Sequence, residues 1–110
     1  MKKHKLLTKE IEKSIPALYS TENVTLNEKK IAVKYFDPYG KWSWLALEGE
    51  RTEDGDFRFF GLVDGHEKEY GYWMLSELES IPDPYNRKQH RIERDVYYTG
   101  TIADYNNGRN

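Results

Sequence analysis

The chain contains no cysteine, which removes both a disulfide framework and any thiolate metal site. No apolar run approaches the roughly 18–20 residues that a membrane-spanning helix needs, so no membrane partner is expected. The opening Met1-Lys2-Lys3-His4-Lys5-Leu6-Leu7 is basic, but its apolar stretch is too short for a secretory signal. A cytoplasmic location is the expectation. Histidine is scarce, and neither His-x-x-x-His nor His-Glu-x-x-His occurs. The convergent ligands of a zinc site are therefore not laid out, and neither a metal nor a cofactor is expected. A Gly-x-Ser-x-Gly elbow and a Gly-rich phosphate loop are missing too, and with them the usual signs of a serine nucleophile or a nucleotide cradle. Only 37% of the residues are apolar while a third are charged, which is lean for a folded core.

Aromatic side chains make up the difference. They form 15% of the 110 residues, and each large ring can bury about 150–250 Å². Eleven of the sixteen fall between positions 35 and 78, as short alternating runs broken by Gly and Asp. Trp42-Ser43-Trp44, Phe57-Arg58-Phe59-Phe60-Gly61 and Tyr70-Gly71-Tyr72-Trp73 carry the pattern. A spacing of two sets rings on one side of an extended strand, so this stretch should be the sheet. The length suits one domain over residues 1–110, with 1–6 and 106–110 expected to be flexible.

The net charge of −2 is unevenly spread. Residues 1–41 hold nine Lys/Arg against five Asp/Glu, a balance of +4. Residues 42–82 hold three against ten, or −7, and residues 83–110 hold five against four, or +1. An acidic sheet segment argues against a phosphate-binding channel along it.

Thr8 reads as the N-cap of a short helix with Ile11, Ile15 and Leu18 along one stripe, ended by Pro16. Residues 19–30 read as a polar connection. Residues 31–36 read as a strand, Asp37-Pro38-Tyr39-Gly40 as a tight turn, and residues 42–48 as the returning strand of a hairpin. An acidic loop over 49–56 leads to strands at 57–63 and 70–74, joined by a turn at 64–69. Ser76-Glu77-Leu78-Glu79 has the form of a capping box, with Ser76 as cap. Pro82 and Pro84 limit that helix, residues 81–90 read as a surface loop, and residues 92–98 as an edge strand. Gly61 and Gly71, inside strands, should mark a bulge or a ring lying across the backbone. The expected class is α+β: an antiparallel β-meander of three to five strands with short helices at the N-terminus and after the fourth strand. Both strand faces carry apolar groups, so helices should cover one face and leave part of the other open.

Three constellations carry candidate chemistry. Acidic residues crowd two loops: Glu48, Glu50, Glu53, Asp54 and Asp56 on one, Asp64, Glu67 and Glu69 on the next. Clustered carboxylates can hold hard cations, yet the spacing matches no calcium loop, and solvated turns are the simpler reading. Arg58-Phe59-Phe60-Gly61 invites comparison with an RNA-stacking sheet, but core packing fits it better. Glu93-Arg94-Asp95 precedes an apolar strand, where a bidentate Arg94–carboxylate pair would lock the C-terminal segment to the sheet.

The central motifs resemble a small bacterial family, domain of unknown function 2958. The resemblance rests on Leu6-Leu7-Thr8, Pro16-Ala17-Leu18-Tyr19, Pro38-x-Gly40-x-Trp42-x-Trp44, Glu48-Gly49, Phe60-Gly61-Leu62-Val63-Asp64-Gly65, Glu67-Lys68-Glu69-x-Gly71-Tyr72, Leu75-Ser76-Glu77-Leu78 and Glu93-Arg94-Asp95. It runs to about Tyr98, and the polar stretch 82–89 departs from the shorter or more apolar connection expected there. The resemblance implies a stand-alone domain carried by plasmids, integrative elements and phages. It implies no activity, cofactor or catalytic residue.

The expected function is a non-enzymatic accessory protein that binds a protein partner through the aromatic sheet and acidic loops. Trp42, Trp44, Tyr70 and Tyr72 would anchor the contact. Glu48, Asp64, Glu67, Glu69, Arg94 and Asp95 complete the candidate set, the carboxylates steering a basic partner. Inhibition of a host defence nuclease, of anti-CRISPR or antirestriction type, is the specific form. A nucleic-acid binder using Lys2 to Lys5 and Arg87 to Arg94 is one rival. An enzyme built on Asp64, Glu67, Glu69, Arg94 and Asp95 is the other.

Overall fold

Alternation in the aromatic middle of the chain is satisfied by one five-stranded antiparallel sheet, described over residues 3–108 in a computed structural model. Its strands are β1 (Val33–Phe36), β2 (Ser43–Arg51), β3 (Phe57–Asp64), β4 (Lys68–Met74) and β5 (Glu93–Arg94). They lie in the order β4-β3-β2-β1-β5, a four-stranded meander with β5 added beside β1. Helices α1 (Lys9–Ser14), α2 (Leu75–Glu79) and α3 (Ile102–Asn106) and a 3₁₀ turn at Leu26–Glu28 complete it. The α+β meander expected from the pattern is what forms. No described helix is long and apolar enough to cross a membrane.

Each sheet face has its own core. Phe57 and Phe59 on β3, Tyr35 on β1 and Trp73 on β4 share one face with Leu6, Leu7, Ile15, Leu75, Leu78 and Ile92. The N-terminal segment and α2 thus cover this side. Phe59 is its centre, stacked on Trp73 at 5.4 Å and met edge-on by Tyr35 at 5.6 Å. Tyr35 is fully buried and its hydroxyl donates to the Leu6 carbonyl at 2.6 Å. On the opposite face Leu45, Leu47 and Leu62 pack with Ile31 and Ile102.

A β-bulge sets the middle of the sheet. Ala46 faces Gly61 but the next pair is Glu48 with Phe60, so Leu47 is the extra residue. Residues opposed across a ladder share a face. The bulge therefore turns Glu48 to the Phe60 side, where Leu47 also packs. Gly61 is the required partner, because a Cβ there would collide with the Leu45 carbonyl oxygen. Gly71 does not fit its expectation: nothing lies within 4 Å of where its Cβ would be.

Local chemistry corrects several boundaries. Thr8 caps α1 as expected, its Oγ1 accepting from the Ile11 N–H at 3.2 Å. The Asp37 turn closes through Gly40 N–H to the Asp37 carbonyl at 3.2 Å. Strand β2 continues to Arg51 through what reads as an acidic loop, since Gly49, Glu50 and Arg51 pair with Phe59, Arg58 and Phe57. Ser76 is not a cap. Strand β4 runs straight into α2, Met74 is the N-cap, and its N–H donates to Glu77 Oε1 at 2.7 Å. Ser76 instead binds the Asp56 carboxylate through its N–H (3.1 Å) and its hydroxyl. The edge strand is two residues rather than seven, because an Asp95-centred turn, with Tyr97 N–H on Asp95 Oδ1 at 3.1 Å, follows β5. Helix α3, where no helix is expected from the sequence, starts at a Thr101-x-x-Asp104 capping box. Of the ends expected to be flexible, residues 1–2 and 109–110 lie outside the described residues. Within them Leu6 is buried, Lys3 is ion-paired to Asp83 at 2.8 Å, and Asn106 belongs to α3.

Candidate binding surface

Beyond the bulge, Glu48 is a carboxylate in a nearly dry position, 4% exposed. It is held by the segment that the sequence presents only as a polar connection. Tyr19 N–H donates to Oε1 at 2.7 Å, while Thr21 donates to Oε2 through its N–H (3.3 Å) and its hydroxyl. Lys29 Nζ stands 3.7 Å from Oε2 and donates to the Thr21 carbonyl and hydroxyl oxygens. Burial pushes the Glu48 carboxyl up, but the Thr21 hydroxyl, the two N–H groups and the Lys29 charge together hold it below the usual range. Tyr19 adopts φ +68°, a left-handed conformation that costs a non-glycine residue about 1–2 kcal/mol. That conformation accompanies an N–H bonded to the carboxylate and a ring 62% exposed.

The ring belongs to a patch. Tyr72 donates its hydroxyl to Tyr19 Oη at 3.2 Å and tilts against Phe60 at 5.2 Å, and Phe60 stacks with Tyr70 at 6.2 Å. Register explains the grouping: Phe60 faces Tyr72 and Leu62 faces Tyr70 across β3 and β4, on one side of the sheet. Tyr72 and Tyr70 remain 50% and 38% exposed. Two open clefts flank Tyr72. One of about 420 Å³ reaches down to Glu48 and Lys29 between Val24, Leu26 and Phe60, and one of about 380 Å³ lies toward Arg58, Met74 and Glu77.

The expected anchors divide between two places. Trp42 and Trp44 sit near the β3–β4 turn, 6.0 Å apart, with Trp42 meeting His66 at 5.7 Å. Trp42 lies on Gly65, whose Cβ would come within 2.5 Å of the indole. Trp42, Val63, His66, Glu67 and Glu69 line a separate opening of about 480 Å³. Asp64 is engaged at the same end, accepting from the Tyr105 hydroxyl. Arg94 and Asp95 join neither group. Arg94 Nε donates to the Lys5 carbonyl at 2.8 Å and Asp95 stands 3.9 Å from Lys34 Nζ, on the opposite edge of the sheet. Arg94 thus ties the N-terminal segment to β5 through a backbone carbonyl, in place of the bidentate carboxylate pair. The proposed catalytic set of Asp64, Glu67, Glu69, Arg94 and Asp95 is split across the sheet. Among the described residues no group of three or more His, Asp or Glu is arranged to hold a metal.

The acidic segment is divided too. The loop after Arg51 and the loop after Asp64 leave opposite ends of β3, an eight-residue strand of roughly 26 Å. The missed members of the surface are Tyr19, Phe60, Thr21 and Lys29. Only Phe60 had a signal, and it pointed to core packing rather than to a surface.

Charge pairing differs sharply between the sheet edges. Around β5, Lys3 meets Asp83 at 2.8 Å and Glu93 at 3.4 Å, and Arg91 Nε meets Asp37 at 2.8 Å. Asp83 also accepts from Tyr85 N–H at 2.8 Å and Tyr39 Oη at 3.2 Å. The Lys3 hydrogen bond, aided by the backbone N–H groups, lowers its carboxyl to about 2. A depressed carboxyl contributes stability that is present above its unfolded value and lost as pH falls through the folded one. Urea midpoints should therefore fall between about pH 4 and pH 2, and Asp83→Asn should flatten that decline. An unchanged acid limb would show that this latch holds nothing.

These features define a small α+β domain with an aromatic surface on one side of its sheet. The chain belongs to the family described as "Protein of unknown function (DUF2958)", whose model matches residues 6–106. Neither a curated protein nor a solved structure matches it.

Proposed function

We propose that this protein is a non-enzymatic binding module for a protein partner, and that Tyr19, Phe60, Tyr70 and Tyr72 form the contact. The observation that carries this reading is the group of exposed rings, Tyr19, Tyr70 and Tyr72, around half-buried Phe60, backed by the buried Glu48 network. Large rings with a polar tip dominate interface energetics because they bury area at little entropic cost. Glu67 just precedes β4 and Glu69 lies in it, on the face opposite Tyr70 and Tyr72, so carboxylates border the rings across the strand and favour a basic partner. The mobile-element setting implied by the family resemblance fits a host protein, a defence nuclease included.

Nucleic-acid binding through the basic ends is the weaker reading. Within those ends Lys3 and Arg91 are already matched to carboxylates, and Arg94 donates to the Lys5 carbonyl.

Affinity capture from host extract, with the retained proteins quantified by mass spectrometry, tests the first reading. Tyr70→Ala combined with Tyr72→Ala should reduce capture of the specific partner by about 30-fold or more, at roughly 2 kcal/mol for a dominant ring. Glu53→Ala, on the distant loop, should leave it unchanged. Equal capture by the double variant and the wild type would exclude the ring surface as the contact.

A further inference from the structure

We propose that the free edge of β4 accepts an extended, positively charged segment of the partner as a sixth antiparallel or parallel strand. This rests on the protein-binding reading above and specifies how the partner is held. Strand β4 ends the sheet, pairing with β3 through all seven residues, 68–74, without a register shift. Its other side therefore presents a row of backbone donors and acceptors with no strand beside it among the described residues. Exposed edges are normally blunted by charged side chains, proline, a bulge, a short length or a covering segment. β4 carries charge only at its start, Lys68 and Glu69; it has neither proline nor bulge and is seven residues long. The opposite edge is treated differently: β5 is two residues long and strapped by the N-terminal segment through Arg94 Nε to Lys5 O and Lys3 Nζ to Arg91 O. One edge is closed and one is open.

Side chains of an added strand alternate between the two faces. On one face they would meet the Tyr70 and Tyr72 rings. On the other they would meet the gap at Gly71, where nothing lies within 4 Å of a Cβ, between Glu69 and the buried Trp73.

Charge selects the occupant. Glu67 and Glu69 precede the strand's middle, and Glu77 follows its end. None of the three is in an ion pair among the described residues, in contrast to Asp37, Asp83, Glu93 and Asp95 at the closed edge. A second copy of this chain is the poorer fit. Antiparallel self-pairing about Gly71 would set Glu69 of one copy opposite Trp73 of the other, driving Glu67 and Glu69 toward Glu77. A segment carrying Lys or Arg on alternate positions would instead place its cations over the Gly71 gap and between these carboxylates.

The test is selection of a phage-displayed random dodecapeptide library on the full chain, followed by ¹H–¹⁵N spectra of the protein with the enriched synthetic peptides. Enriched sequences should be rich in Lys and Arg and should shift and protect the amides of residues 68–74. N-methylation of alternate peptide amides should weaken binding at least tenfold, as should Glu69→Lys or Gly71→Lys. Glu69 is exposed and nothing lies within 4 Å of a Cβ at Gly71, and circular dichroism checks that both variants fold. Peptides that bind the Tyr70–Tyr72 rings but ignore N-methylation would overturn strand addition while leaving the protein-binding reading intact. Failure to enrich any basic sequence would overturn it as well, and so would a dimer by sedimentation that Gly71→Lys dissociates.

Discussion

Glu48→Ala is expected to cost roughly 3–5 kcal/mol, the range for removing one member of a buried, hydrogen-bonded ion pair. The loss would leave the Tyr19 and Thr21 N–H groups and the Lys29 ammonium without their carboxylate in a place that water does not reach freely. For a domain of this length that is a fall in Tm of about 15–30 °C. Glu50→Ala, two positions along and exposed, should change stability by no more than about 0.5 kcal/mol. Joint replacement of Glu48 and Lys29 by methionine should recover much of the loss, because an apolar pair leaves nothing unpaired. Since the Glu48 carboxyl is held below its usual value near 4.5, its contribution is complete above that value. It disappears as pH drops through the lower, folded value. The alanine variant should consequently show a flatter acid limb in urea titrations. A loss below 1 kcal/mol, or an unaltered acid limb, would mean the network does not anchor the Tyr19 segment.

Gly61→Ala and Gly71→Ala should differ more than any other matched pair in the chain. At Gly61 the added methyl runs into the Leu45 carbonyl oxygen, 2.9 Å from its carbon and 3.0 Å from the Ala46 Cα. All of these are backbone atoms of the bulge, which cannot swing aside as a side chain can. A cost of about 3 kcal/mol or more is expected, with Glu48 losing its register as the bulge shifts. At Gly71 the methyl enters open space, and lower unfolded-state entropy should give a gain of up to about 1 kcal/mol. Chemical denaturation of the two variants decides the matter. Similar effects at both positions would show that the bulge is not the feature Gly61 serves.

Much of the architecture could be read from spacing alone. Phe57 and Phe59 are separated by Arg58, and Val33 and Tyr35 by Lys34, so a period of two puts each apolar pair on one face of its strand. The Asp37 turn and the Thr8 cap were legible because their signals are local: one side chain satisfies a nearby backbone group. The capping box at Ser76 misled for the same reason. Its hydroxyl and N–H found Asp56, twenty positions away, and Glu77 served Met74 instead.

The surface was less legible. Trp42 and Trp44 look like anchors in sequence, yet Trp42 rests on Gly65 and Trp44 packs beside the core. Tyr19 gave no sign, because its importance comes from a left-handed backbone turn over a carboxylate 29 residues away. Nor could the −7 of the middle segment disclose that its loops leave opposite ends of β3, since charge along a chain says nothing about which ends of a sheet it reaches.

By itself, then, the sequence determined a cysteine-free α+β meander with an aromatic core and an acidic middle, because period-two burial and turn chemistry act over a few residues. Only the tertiary structure decided which rings stay in water, which carboxylates find cations, and which sheet edge stays open. Those outcomes depend on residues far apart in the chain meeting across a bulge, a register or an edge, and no short-range pattern encodes such meetings.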